Sequence, residues 1–193
     1  DWREERLKCD VVELEEKNPA RPDAAKNAKL QLDHISKLCK AGQYPFQAVA
    51  VDGLTFLAES YLKAACVNEK LDFSCQTPHM RIWQLAIQQV QNFCMRLKSL
   101  PIVRILTAHT QLVTIDENEV ERIGIYGRNL PISIPGLFDE IWYTKVRNAG
   151  GGKVEFTLRT KPSGSITARS IVENNANQNE GLLNLISQLG HKL

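Results

Sequence analysis

No stretch of this 193-residue chain approaches the roughly 18 consecutive apolar residues that a membrane span needs. Its apolar runs, such as Ala48–Val51 and Ile102–Leu106, are short or interrupted. An excess of one charge is missing too: 24 Lys and Arg against 22 Asp and Glu leave a formal +2. Any contact with nucleic acid must therefore come from a local patch rather than from net charge. The opening Asp1-Trp2-Arg3-Glu4-Glu5-Arg6 has no initiator Met and no apolar h-region, so it lacks the form of a signal peptide. The expectation is that the true start lies elsewhere. The five cysteines, Cys9, Cys39, Cys66, Cys75 and Cys94, are odd in number and hold no C-x-x-C pair. That pattern argues against structural zinc and for reduced, buried thiols in a cytoplasm-like compartment.

What is present is an ordinary folding mixture, 43% hydrophobic and 24% charged, which excludes a disordered or collagen-like chain. The length allows one domain and an appendage. We place the core at residues 1–173 and a polar tail with a short helix, Gly181 to Leu189, at 174–193.

Ala24, Ala28, Leu32, Ile35 and Leu38 keep helical spacing and predict a helix over Asp23 to Lys40, with Asp23 capping its start after Pro22. Pro45 to Asp52 is a short apolar run after a Gly-Gln-Tyr-Pro turn, the form of a strand buried on both faces. Leu54 to Ala65 reads as helix and the stretch to Thr77 as loop. Pro78 to Ser99 reads as a strong helix with Pro78 at its first position and Ile82, Leu85, Ala86, Val90, Phe93 and Leu97 in one stripe. Ile102 to His109 is a second buried-strand candidate, so strand, helix and strand follow in the order of a parallel crossover. Beyond it, Thr110 to Arg128 reads as loop and Phe138 to Val146 as strand. Arg147 to Lys153 reads as a connecting loop before a hairpin of Val154 to Thr160 with Ile166 to Ile171. The expected class is α/β: a mainly parallel sheet flanked by helices with a C-terminal antiparallel extension.

An acidic residue at the carboxyl end of a buried parallel strand lies where open α/β sheets bind ligands. Asp52, after Val49-Ala50-Val51 and before Gly53-Leu54-Thr55, is such a residue, although an Asp there also suits capping of the helix that follows. The second strand ends in Thr107-Ala108-His109, which brings a Thr and a His toward the same edge. A histidine there suits sensing a phosphate or orienting water, beside the plainer structural role.

Four segments together resemble RecA-like P-loop ATPases of the phage recombination and single-strand-annealing type. They are Phe46-Gln-Ala-Val-Ala-Val-Asp-Gly-Leu-Thr55, Val103-Arg-Ile-Leu-Thr-Ala-His109, Gly127-Arg-Asn-Leu-Pro-Ile-Ser-Ile-Pro-Gly-Leu-Phe-Asp-Glu-Ile-Trp-Tyr143 and Thr157-Leu-Arg-Thr-Lys-Pro-Ser-Gly164. The resemblance runs from about Trp2 to Val172 and implies a RecA-like sheet, ATP with Mg²⁺ as cofactors, and a homo-oligomeric ring or filament in the cytoplasm, the host's if phage-encoded. By position, Asp52 corresponds to the Walker B carboxylate that holds the water shell of Mg²⁺. Thr55 and Thr107 lie beside the nucleotide, and His109 senses phosphate. Arg159 and Lys161, with Arg169 behind them, could reach a neighbouring subunit's nucleotide. Single-stranded DNA is the implied partner, bound by loops carrying Arg122, Arg128, Arg147 and Lys153. Lys145, Arg159, Lys161 and Arg169 add to that basic bias and Tyr126 could stack on a base; the plainer reading is ordinary surface charge.

One departure weighs against the family. The phosphate loop G-x-x-x-x-G-K-[ST] is missing from the string. Gly150-Gly151-Gly152-Lys153 is followed by Val154 and opens a strand, which cannot make an anion cradle at a helix N-terminus. Either a first strand, phosphate loop and helix precede Asp1, or the chain is a loop-less, non-hydrolysing relative acting as a DNA-binding or assembly module. Without the loop, Asp52 alone would repel a triphosphate. The family's catalytic Glu has no clear match; Glu13 is a candidate, within a Glu13 to Lys17 run that otherwise reads as solvated charge. A dinucleotide enzyme would need G-x-G-x-x-G after a strand, which is absent.

Overall fold

The computed structural model describes residues 9–14, 16, 22–70, 78–115, 117–150, 153–162 and 168–170. The expected helix at 181–189, and the whole 174–193 tail, lie outside the described residues. The class is mixed α/β. The chain divides into two compact units, Asp1–Val51 with Phe56–Leu106, and Asp52–Thr55 with Thr107–Leu193.

In the first unit, α1 spans Asp23–Lys40 and buries Ala24, Ala25, Ala28 and Leu32; Ile35 and Leu38, expected on the same stripe, are half-buried. Its start is held differently from the sequence expectation. Pro22 is the N-cap and offers no side-chain bond. Instead the Ala24 N–H donates to Glu16 Oε2 at 3.3 Å and the Ala25 N–H to Ser60 Oγ at 2.9 Å, while the Ser60 hydroxyl donates to the other Glu16 oxygen. Glu16 is thus not solvated charge, because two orphan donors of the first helical turn need acceptors. The helix ends in a Schellman turn: the Gln43 N–H reaches Leu38 O at 2.8 Å and the Gly42 N–H reaches Cys39 O at 3.1 Å. Gly42 supplies the left-handed φ of +66° that this turn requires.

Strand β1 is Ala48–Val51 and β2 is Val103–Leu106, paired in parallel with Ala48 opposite Val103 and Val51 opposite Leu106. Between them run α2, Leu54–Asn68, and α3, Met80–Lys98. The parallel crossover therefore forms, but among the described residues the parallel sheet has two strands only. The strands are half-buried, with Ala50 exposed, rather than buried on both faces. Helix α2 runs three residues past Ala65, and Pro78 lies before the α3 N-cap, His79, whose extended backbone starts the helix one residue later. The α3 stripe is as expected in Ile82, Ala86, Val90, Phe93 and Leu97, with Cys94 added and Leu85 half-buried. Leu57, Ala58, Tyr61, Ala65 and Cys66 of α2 are buried as well, and the Tyr61 and Phe93 rings lie 6.2 Å apart at 54°. Arg96 of α3 pairs with Asp33 of α1.

In the second unit, β3, Thr110–Ile115, and β4, Asn118–Ile123, form an antiparallel hairpin in a segment expected as loop. A single turn, α4 at Leu130–Ser133, and a 3₁₀ turn at Pro135–Leu137 follow, with Leu130 and Ile134 buried. Strand β5, Tyr143–Gly150, then pairs antiparallel with β6, Lys153–Arg159. Antiparallel pairs are present, but among the described residues they form separate two-stranded sheets rather than an extension of the parallel one. The segment from Arg147 is strand rather than loop, and β6 pairs with β5; half of the expected forward partner, 166–171, lies outside the described residues. Residue 169 instead bridges Ile141, and Ile166 and Ile171 lie outside the described residues. The expected strand start at Phe138 moves to Tyr143. Among the described residues no helix is long and apolar enough to cross a membrane.

Candidate functional site

The residues that follow β1 and β2 are joined by a short ladder of bonds. The register puts Val51 opposite Leu106, so Asp52 and Thr107 are the next residue on each strand. The Thr107 hydroxyl donates to Asp52 Oδ1 and accepts the Gly53 N–H at 2.9 Å. The Thr107 carbonyl accepts the Leu54 N–H at 2.9 Å. Two residues on, the His109 N–H donates to Thr55 Oγ1 at 3.1 Å. Leu54, 1% exposed, anchors the segment, and Gly53 turns it at a φ of +89° that glycine tolerates. Asp52, Thr107 and His109 are themselves exposed. The expected quartet of Asp52, Thr55, Thr107 and His109 is therefore brought together, with each threonine oxygen already engaged.

These residues can be tested against the cofactors that the resemblance implies. Mg²⁺ keeps several waters and takes one or two carboxylates together with substrate phosphates. Asp52, with one oxygen held by Thr107 and a second oxygen beside it, fits the part of a carboxylate that holds metal-bound water. Among the described residues no group of three or more His, Cys, Asp or Glu could cage a metal ion by itself. The triphosphate is less well served. Gly150 ends β5 and Lys153 opens β6 as its register partner, so the Lys153 that follows the glycine run begins a strand and not a helix.

The basic candidates are spread over the second unit. Arg122, on β4 opposite Gln111, is half-buried, and its buried Nε has no hydrogen-bond partner among the described residues. Arg128 is exposed after the turn at Gly127. Lys145 and Arg147 lie on β5, and Lys153 on β6. Arg159 faces Tyr143 across the β5–β6 pair, and Lys161 is exposed just beyond. Arg169 is committed to the fold: its guanidinium donates to the Pro135 carbonyl at 3.3 Å and to that of Phe138. Tyr126 is half-buried with its hydroxyl buried, and Glu13 is exposed on the first unit.

A second polar cluster gave no signal in the sequence, because its members lie up to 33 positions apart. Tyr143 donates its phenol proton to Glu121 Oε1, which also accepts the Thr110 hydroxyl at 3.2 Å. Burial first, then the Glu121 bond and charge, push the Tyr143 phenol above its ordinary value, while Thr110 and the Arg159 charge pull it down. Among the described cysteines, Cys66 and Cys94 are buried, Cys39 is half-buried, and Cys9 is exposed; the expectation of buried thiols fails for Cys9, which lies ahead of α1.

Compared with models of protein families, with curated proteins and with solved structures, the chain gives no match.

Proposed function

We propose that this chain carries the carboxylate and sensor portion of a RecA-like nucleotide site and works with ATP and Mg²⁺ on single-stranded DNA, in recombination or replication of the phage type. The observation that supports this reading best is the bond from Thr107 to Asp52, formed one residue beyond a parallel strand pair whose crossover runs through α2 and α3. In this reading Asp52 holds metal-bound water and His109 responds to the terminal phosphate. Arg159 or Lys161 acts across a subunit boundary in a cytoplasmic homo-oligomer. Arg122, Arg128, Arg147 and Lys153 track the phosphodiester backbone. The triphosphate cradle must come from polypeptide other than these 193 residues, because no part of the string supplies one.

That missing cradle favours a second reading, a non-hydrolysing DNA-binding or assembly module of the same fold. A fluorescent ATP analogue titrated with Mg²⁺ against the chain and its Asp52→Asn variant separates them. Saturable binding lost in Asp52→Asn is the result expected if enough of the nucleotide site is held here. Absence of binding, with single-stranded DNA binding that weakens steeply with salt, moves the assignment to the non-hydrolysing module. Absence of both refutes the RecA-like reading of this chain.

A further inference from the structure

The geometry points to Thr107 as a positioning residue, whose hydroxyl orients the Asp52 carboxylate, and not as a contact to phosphate. A threonine hydroxyl has one proton and two lone pairs. The Gly53 N–H takes one lone pair at 2.9 Å, which fixes the direction of the rotor, and the single proton goes to Asp52 Oδ1. No proton is left for a phosphate oxygen, and a phosphate oxygen has none to offer the remaining lone pair. The hydroxyl proton, which a contact to a phosphate oxygen would need, is therefore spent on Asp52.

The relay is rigid at both ends. Thr107 is β-branched and stiff at its first side-chain torsion. Its carbonyl holds the Leu54 N–H at 2.9 Å, so backbone and side chain of one residue grip three successive positions, Asp52, Gly53 and Leu54. The His109 N–H bond to Thr55 at 3.1 Å closes the far side. An exposed aspartate normally samples several rotamers; here one oxygen is anchored, and the other is set in direction before any ligand arrives. Such preorganisation removes part of the ordering cost of binding. The cation that would profit rests on the nucleotide reading above, whereas the orientation of Asp52 rests on the bonds alone.

The test uses the full chain with Thr107→Ser, which keeps the hydroxyl, and Thr107→Val, which keeps the shape and removes it. Three-bond couplings about the Asp52 Cα–Cβ bond report its rotamer, amide exchange at Gly53 reports the N–H bond, and Mn²⁺ titrated alone serves as the cation probe. The wild type and Thr107→Ser are expected to hold Asp52 in one rotamer. Thr107→Val is expected to average it, to speed Gly53 exchange and to weaken Mn²⁺ roughly fivefold, the scale of one modest hydrogen bond. An Asp52 side chain that already averages in the wild type overturns the proposal, as does one that stays fixed in Thr107→Val. If the rotamer follows Thr107 but Mn²⁺ binds Asp52→Asn as well as the wild type, the positioning role stands and the metal reading of Asp52 falls.

Discussion

Removing the Ser60 hydroxyl tests whether the first unit is held at the start of α1 by a nonlocal cap. Ser60 is 2% exposed and Ala25 3%, so in Ser60→Ala the Ala25 N–H loses its 2.9 Å acceptor where water cannot replace it. An orphaned buried donor costs about 1–3 kcal/mol. The Glu16 carboxylate loses the Ser60 proton as well, but it is only half-buried and regains water, so this second loss is small. Alanine offsets a few tenths of a kcal/mol through its better helix propensity within α2. The expected net loss is about 2 kcal/mol, or a fall of about 1 M in the urea midpoint at a typical slope of about 2 kcal/mol per molar. Urea titrations followed by far-UV circular dichroism measure it, and amide exchange locates it, since protection should fall first at Ala24 and Ala25. Glu16→Gln, which keeps an acceptor oxygen but not the charge, should lose about half as much. A loss under about 0.5 kcal/mol in Ser60→Ala, or unchanged exchange at Ala25, would refute the cap.

Alkaline pH should destabilise the same unit. Burial pushes the Cys94 thiol from 9.0 up to about 12, and burial, then Cys94, raise the Tyr61 phenol as well. Both groups stay neutral in the folded chain while the unfolded chain ionises them, so stability is whole below about pH 9 and is lost as pH rises toward 12, by at most about 1.4 kcal/mol per unit for one group. Urea midpoints that do not change between pH 9 and 11 would contradict this. Thiol accessibility gives an independent check by mass-mapped alkylation at pH 8: exposed Cys9 should label fast and Cys39 more slowly, while Cys66 and Cys94, at 3% and 0% exposure, should wait for unfolding. Equal rates at Cys9 and Cys94 would place Cys94 at the surface.

The elements that could be read from the string are those whose pattern is local and one-sided. Helix α3 shows its face in the spacing of Ile82, Ala86, Val90 and Phe93, and those residues are the ones buried. Hairpin β3–β4 was not legible because it has no wet-and-dry alternation to read. Five of the six β3 residues are exposed, and β4 carries Glu119 before Val120 and Glu121 and Arg122 between Val120 and Ile123, so a two-residue period is overwritten by charge. The cap on α1 hid for a different reason. Pro22-Asp23 has the form of a local helix start, yet the acceptors come from Glu16 and from Ser60, 35 residues beyond Ala25. The β5–β6 pairing failed on the glycines: Gly150-Gly151-Gly152 reads as the middle of a loop, whereas the register shift between Asn148 and Gly150 lets strand pairing continue into it.

The candidate site lies between those two cases. Asp52 and Thr107 could each be picked out as a polar residue ending an apolar run, but their partnership depends on register, which no single run contains. With Val51 opposite Leu106, the next residues across the pair are Asp52 and Thr107, and the hydroxyl meets the carboxylate. A slip of one residue would set Ala108 against Asp52 and leave the carboxylate with no donor, while Thr107 would face Val51. The same slip would carry the Leu54 and Gly53 N–H groups away from Thr107, so all three bonds made by this one residue vary together. Strand register, Asp52 orientation and the turn into α2 are therefore one coupled unit. A substitution at Thr107 that kept the shape but not the hydroxyl would separate them, leaving the Leu54 backbone bond in place while freeing Asp52.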